Sequence, residues 1–152
     1  MAIGKKSLGA EHTDMASWLN NLATILKHED KLPEAEVMYR EALAINKKLL
    51  GNEHREVAAT LNNLALLLAR QDKLSEAETT LREALQMGKH LWGDTHPVLA
   101  RQLTSLTRIL TRLGKLPEAE ATGREAVAML KKLGGPSASR RVLRARQPGP
   151  RA

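Results

Sequence analysis

The sequence predicts an all-α solenoid of antiparallel helix pairs. Three observations predict it. The chain repeats itself every 42 residues: Leu8-Gly9, Leu50-Gly51 and Trp92-Gly93 fall one period apart, and so do His12, His54 and His96. Within each period the apolar residues recur at helical spacing. The aromatic residues are only Trp18, Trp92 and Tyr39, so the core is built from Leu, Ala, Ile and Met, a set that favours helices. One unit of this kind cannot bury its own apolar face, so neighbouring units must stack.

The elements follow in order. At the start, Ala2-Ile3 and Lys5-Lys6 match Ala44-Ile45 and Lys47-Lys48 one period later. The chain is therefore expected to open on a remnant of a second helix whose own partner is absent, closed by Leu8-Gly9. Helix pairs are then expected at residues 13–28 and 33–49, 55–70 and 75–91, and 97–112 and 117–133. In the first helices, Leu19, Leu22 and Leu26 match Leu61, Leu64 and Leu68, then Leu103, Leu106 and Leu110. Offsets of three and four place them on one face. In the second helices, Ala35, Ala42 and Ile45 match Ala77, Ala84 and Met87, then Ala119, Ala126 and Met129. The recurrent Ala allows two helices to approach closely.

Punctuation separates these faces. Asp30-Lys31, Asp72-Lys73 and Gly114-Lys115 mark the turn inside each hairpin. Pro33 and Pro117 stand where a second helix begins, as Pro97 does for the third first helix, and a first turn tolerates proline. Ser75 with Glu78 reads as a capping box. Gly51 and Gly93 close each unit, as glycine does after a helix C-terminus. The pairs Glu36–Arg40, Glu78–Arg82 and Glu120–Arg124 have the favourable i,i+4 order and read as a solvated helix face.

Charge is uneven. The chain carries a formal net charge of +7. Five of those positive charges, Arg140, Arg141, Arg144, Arg146 and Arg151, lie in residues 133–152, where no acid occurs. Gly134-Gly135-Pro136 breaks the repeat, and the composition beyond it predicts disorder, with at most a short turn at Val142-Leu143. The organisation expected is a solenoid over residues 1–133, with three helix pairs and an N-terminal remnant, and a basic disordered tail over 134–152.

The sequence excludes several function classes. It has no cysteine, so no disulfide framework, thiolate metal site or thiol nucleophile exists. The three aligned histidines cannot share a metal. Equivalent atoms of stacked helices lie about 8–10 Å apart, and zinc ligands must converge at ~2 Å from one ion; a capping or packing role in the linker remains. No convergent nucleophile, base and orienting group and no glycine-rich phosphate loop can be read. An enzyme is not expected, nor a cofactor. The longest apolar run, Leu64 to Ala69, is too short to span a bilayer, and Met1 to Lys6 lacks a signal-peptide core. A cytoplasmic location is expected.

The pattern resembles the tetratricopeptide repeat, in the 42-residue form of kinesin light chains. The residues that carry the resemblance are Leu19, Leu22, Ala23 and Leu26 with Leu61, Leu64, Ala65 and Leu68 in the first helices. Ala35, Tyr39 and Ala42 carry it in the second helix. The Leu19-Asn20-Asn21-Leu22-Ala23 and Leu61-Asn62-Asn63-Leu64-Ala65 stretches and the Gly-x-x-His linkers add to it. The third unit departs, with Thr107 for the small Ala, Gly123 for the aromatic or Leu, and Thr104-Ser105 for Asn-Asn. That marks it as the least stable unit, or as a terminal unit under relaxed demands.

The resemblance implies a right-handed superhelix with a concave groove lined by the first helices, and a protein-interaction scaffold that binds a peptide segment. Carried onto this chain, the groove residues are Asn20, Thr24 and Lys27, then Asn62, Leu66 and Arg70, then Arg101, Thr104, Arg108 and Arg112. Ser17, His28, Ala59, Ala69 and Thr111 flank them. The charges among them are positive, so the peptide is expected to be acidic, with arginine forks on its carboxylates and Asn20 and Asn62 on its backbone. Two alternatives stay open. One is a solenoid fragment that self-associates through uncapped ends, near Trp18 and Leu22, without any peptide ligand. The other is a nucleic-acid-associated adaptor acting through its arginine-rich tail, which the lack of stacking aromatics disfavours.

Overall fold

The computed structural model describes the backbone of residues 2–146 and the side chains of residues 14–134. Six helices follow one another: α1 (Ala2–His28), α2 (Leu32–Leu50), α3 (Arg55–Arg70), α4 (Leu74–Trp92), α5 (Pro97–Arg112) and α6 (Leu116–Arg146). They pack as three hairpins, α1 with α2, α3 with α4 and α5 with α6. Neighbouring hairpins meet through α2 on α3 and α4 on α5. The first helices α3 and α5 also touch each other, which puts first helices on the inner side of the curve.

The hairpin turns obey one geometry. Asp30, Asp72 and Gly114, one period apart, have φ of 63°, 65° and 79°. Aspartate and glycine tolerate this left-handed region better than other residues. The next amide then reaches back five residues: Lys31 N donates to Leu26 O at 2.8 Å, and Lys73 and Lys115 repeat the bond on Leu68 and Leu110 at 2.9 Å. Between hairpins, Gly51 and Gly93 take positive φ. His54 and His96 then cap α3 and α5, each Nδ1 accepting the amide hydrogen two residues on, from Glu56 at 3.1 Å and Val98 at 3.2 Å. Trp92 stacks on His96 with ring centres 4.7 Å apart.

The core follows the repeat. Leu61, Leu64, Leu67 and Leu68 of α3 are buried between α2 and α4, with Ala35, Tyr39, Ala77 and Leu81 against them. Burying each leucine contributes about 1.5–3 kcal/mol, so the middle hairpin, covered on both sides, carries the largest share.

Four features differ from the sequence reading. Ser75 does not cap α4: the tight turn starts that helix at Leu74 with Lys73 as its cap residue, and the Glu78 carboxylate is taken by Arg82 and Lys115. A carboxylate with two cations in reach does not turn back to a backbone amide. The remnant helix and the break at Gly9 are absent, because α1 is continuous from Ala2 and places His12 inside a helix rather than at a cap. Gly51 and Gly93 turn where one hairpin must stack on another. At Gly9 no described hairpin lies on the other side, so a turn would break helical hydrogen bonds and bury nothing. At the far end α6 does not stop at 133 but runs through Pro136 to Arg146. Proline costs one backbone bond there, while Ala138, Leu143, Ala145 and the arginines favour helix. The remainder of the expected tail, 147–152, lies outside the described residues. Finally, two of the three Glu–Arg pairs, Glu36–Arg40 and Glu78–Arg82, are not a merely solvated face, for reasons that belong to the junctions between hairpins, whereas Glu120–Arg124 is exposed as expected.

Candidate binding cleft and the inter-repeat clamps

Each hairpin junction is held by two sets of polar contacts that the repeat reproduces. On the outer side Glu36 accepts from Arg40 Nε of its own helix at 2.8 Å, and from Gln71 Nε2 at 2.8 Å and Lys73 Nζ at 3.0 Å of the next hairpin. One period later Glu78 accepts from Arg82 and Lys115, both at 2.9 Å. The Glu36 side chain is only 15% exposed and that of Glu78 12%. Partial burial alone would raise the Glu36 pKa, but the three donors outweigh it and lower it to about 2. Glu78 is also held below the usual carboxylate range, first by the Lys115 hydrogen bond, which together with Arg82 outweighs its burial. Arg40 and Arg82 extend the contact to Glu76 at 3.2 Å and Glu118 at 2.9 Å. The sequence showed the i,i+4 pairs and missed these longer ones. Their separations of 36 and 37 residues are the period less a turn or two of helix, and that was the available signal.

The second set lies at the first-helix ends. Arg112 donates to Ala69 O and to Asp72 Oδ1, both at 2.9 Å. Arg70 makes the looser version on Lys27 O at 3.3 Å and Asp30 Oδ1 at 3.5 Å. Both arginines add a second donor to a carbonyl at the end of the preceding first helix that already accepts the amide of Asp30 or Asp72 at 3.0 Å, and a cation suits the helix dipole there.

The inner side carries a cleft of about 680 Å³. Asn62 and Leu66 of α3 form one wall, Pro97, Ala100, Arg101, Thr104, Ser105 and Arg108 of α5 the floor, and Leu130, Leu133 and Gly134 of α6 the other wall. Five of the residues expected in a groove, Asn62, Leu66, Arg101, Thr104 and Arg108, come together here. The other five do not. Asn20 donates to Thr60 Oγ1 of the next hairpin at 3.3 Å, and Thr24 bonds the Tyr39 hydroxyl at 3.1 Å. Lys27 supplies the carbonyl that Arg70 holds, and Arg70 and Arg112 are clamps. Leu130 and Leu133 were not anticipated. Leu130 aligns with Asn46 and Gly88, which are buried, and a large apolar residue in that column was the missed signal.

The electrostatics of the cleft are one-signed. Arg101 and Arg108 are exposed, two turns apart on α5, and among the described residues neither forms an ion pair. No acidic side chain lines the cleft. The hydroxyls of Thr104 and Ser105 bond back to Ala100 O at 2.9 Å and Arg101 O at 3.1 Å, leaving the floor short of free donors other than the guanidinium groups. Among the described residues no three His, Asp or Glu are placed to hold a metal ion, and no helix is long and apolar enough to cross a membrane.

The tetratricopeptide repeat pattern matches residues 14–90 and again 56–132, the two matches displaced by one period. The chain belongs to the tetratricopeptide repeat family. The fold of this tetratricopeptide repeat protein is that of a protein–protein interaction scaffold. Solved structures agree on the architecture. The chain is similar to BtubC (BKLC) from P. vanneervenii, with 28% identity and a TM-score of 0.71 over 90% of this chain and 51% of that one. It is also similar to a Podosopora anserina putative kinesin light chain with nearly identical TPR-like repeats, with 22% identity and a TM-score of 0.72 over 84% of this chain and 61% of that one. A point variant of that protein gives 22% and 0.73 over the same shares. The chain thus spans between half and two thirds of the length of these structures. A comparison with curated proteins found no match.

Proposed function

We propose that the α3–α5–α6 cleft binds an acidic peptide segment carrying an apolar side chain. The carrying observation is that Arg101 and Arg108 stand without acidic partners over an apolar-walled cleft. Two guanidinium groups on one helical stripe suit two carboxylates of an extended segment, each able to accept a forked pair of hydrogen bonds. Leu66, Leu130 and Leu133 offer burial to a side chain between them. The clamping arginines Arg70 and Arg112 are left out of this role because their guanidinium groups are held on the turn of the preceding hairpin and do not line the cleft.

Fluorescence anisotropy with labelled peptides tests the reading. A peptide with Leu flanked by Glu should bind with an affinity around micromolar, about −8 kcal/mol, and its Gln counterpart should bind more weakly. Arg101→Ala with Arg108→Ala should weaken the Glu peptide and flatten its salt dependence. Equal binding of the Glu and Gln peptides, or binding that survives the double change, would overturn it.

A further inference from the structure

The two ends of the solenoid are complementary. On α1, Met15, Trp18, Leu22 and Ile25 form a stripe that no described residue covers. Trp18 is 72% exposed, whereas Thr60 and Gln102, the same position in the next two hairpins, are 1% and 0% exposed. In those hairpins this is the face by which α3 seats on α2 and α5 on α4. At the other end, a cleft of about 830 Å³ between α5 and α6 is lined by Leu116, Gly123 and Val127. One period earlier the same positions are Leu74, Leu81 and Leu85, which receive Leu106 and Ile109 of the following hairpin. Leu116 is 60% exposed, and no described hairpin packs on it. Leu22 and Ile25 are the α1 equivalents of Leu106 and Ile109.

Charge matches as well as shape. Both internal junctions carry the same three outer contacts. Lys73 pairs with Glu36 and Lys115 with Glu78; Arg40 with Glu76 and Arg82 with Glu118; Lys47 with Glu83 and Lys89 with Glu125, the last two at 3.4 Å. Continued by one more period, the lower partners become Glu120, Arg124 and Lys131. The upper partners become Lys31, Glu34 and Glu41 of a second copy. All three pairs have opposite sign. Among the described residues Glu34, Glu41 and Lys131 have no ion-pair partner.

We propose that a second copy of this chain docks its α1 face on the α5–α6 end in the register of the internal junctions, continuing the solenoid. The contact is head-to-tail, so each added copy leaves a fresh end and growth does not stop at two. The interaction is independent of the peptide cleft, since Arg101 and Arg108 take no part.

Sedimentation velocity on the full chain reads the assembly, with circular dichroism as the control for folding. The average mass should rise with concentration past that of a dimer. Trp18→Glu and Val127→Glu should each abolish the rise, and an equimolar mixture of the two variants should form a dimer and nothing larger, because one intact end remains on each chain. Glu41→Lys should weaken assembly, and Glu41→Lys with Lys131→Glu in one chain should restore it. A monomer at all concentrations, a closed dimer of the unaltered chain, or a charge swap without recovery would each overturn the proposal.

Discussion

Glu36 and Lys73 lie 3.0 Å apart across the first hairpin junction, and Glu78 and Lys115 repeat the contact at 2.9 Å across the second. Each glutamate is thereby shared between its own helix and the next hairpin, and each junction gains a polar hinge-pin beside its apolar contact.

That arrangement makes stability pH-dependent. The folded pKa of Glu36 is depressed from 4.5 to about 2. Its contribution is therefore complete above pH 4.5 and is lost as pH falls towards 2. Urea unfolding at neutral pH should show Glu36→Gln less stable by about 1.5–3 kcal/mol, the range for hydrogen bonds to charged groups. The gap between variant and parent should close as the pH is lowered through that window. A gap that persists at about pH 2 would mean the carboxylate charge is not its source.

Arg108 and Arg112 separate binding from folding although they stand one turn apart. Arg112→Ala removes its two bonds across the junction, to Ala69 O and Asp72 Oδ1, and should cost about 1–2 kcal/mol in thermal unfolding. Arg108→Ala, which breaks no contact among the described residues, should stay within about 0.5 kcal/mol and show its effect only on the Glu peptide.

Gln102 is fully buried at the α4–α5 junction, and neither atom of its amide finds a partner in the protein. Its equivalent Thr60 accepts from Asn20 and donates to Glu56 O at 2.9 Å. Replacing Gln102 by Met keeps the volume and removes the desolvated amide. The melting temperature should rise, by a stability gain of about 1–2 kcal/mol; a fall would show that the amide is satisfied.

Two glycines should respond in opposite directions. A Cβ on Gly123 would meet Thr107 Cγ2 at 3.5 Å, an ordinary contact. Gly123→Ala should therefore stabilise the third hairpin by about 1 kcal/mol through helix propensity. A Cβ on Gly88 would come within 2.6 Å of Leu99 Cδ2 and 3.3 Å of the Trp92 ring. Gly88→Leu should force α4 and α5 apart and cost about 1–3 kcal/mol. Chemical denaturation of both variants checks the pair.

The sequence by itself determined the six helices, their pairing and their turns. The reason is that every unit repeats the same local demands: leucines at offsets of three and four, an aspartate or glycine at each left-handed turn, a histidine before α3 and α5. These demands are met within about one period of chain, so a linear pattern displays them. The ends were not legible. Gly9 and Pro136 carry breaking residues, yet α1 and α6 run through them, because a break is made where it lets another hairpin pack and not by the residue alone. The division of the α5 arginines was not legible either. Arg101, Arg108 and Arg112 share one stripe, and only the tertiary structure brings the Asp72 turn and the Ala69 carbonyl under Arg112 while leaving the other two over the cleft. Helical register places a side chain on a face; what that face meets is set by the packing angle between hairpins, which no single repeat encodes.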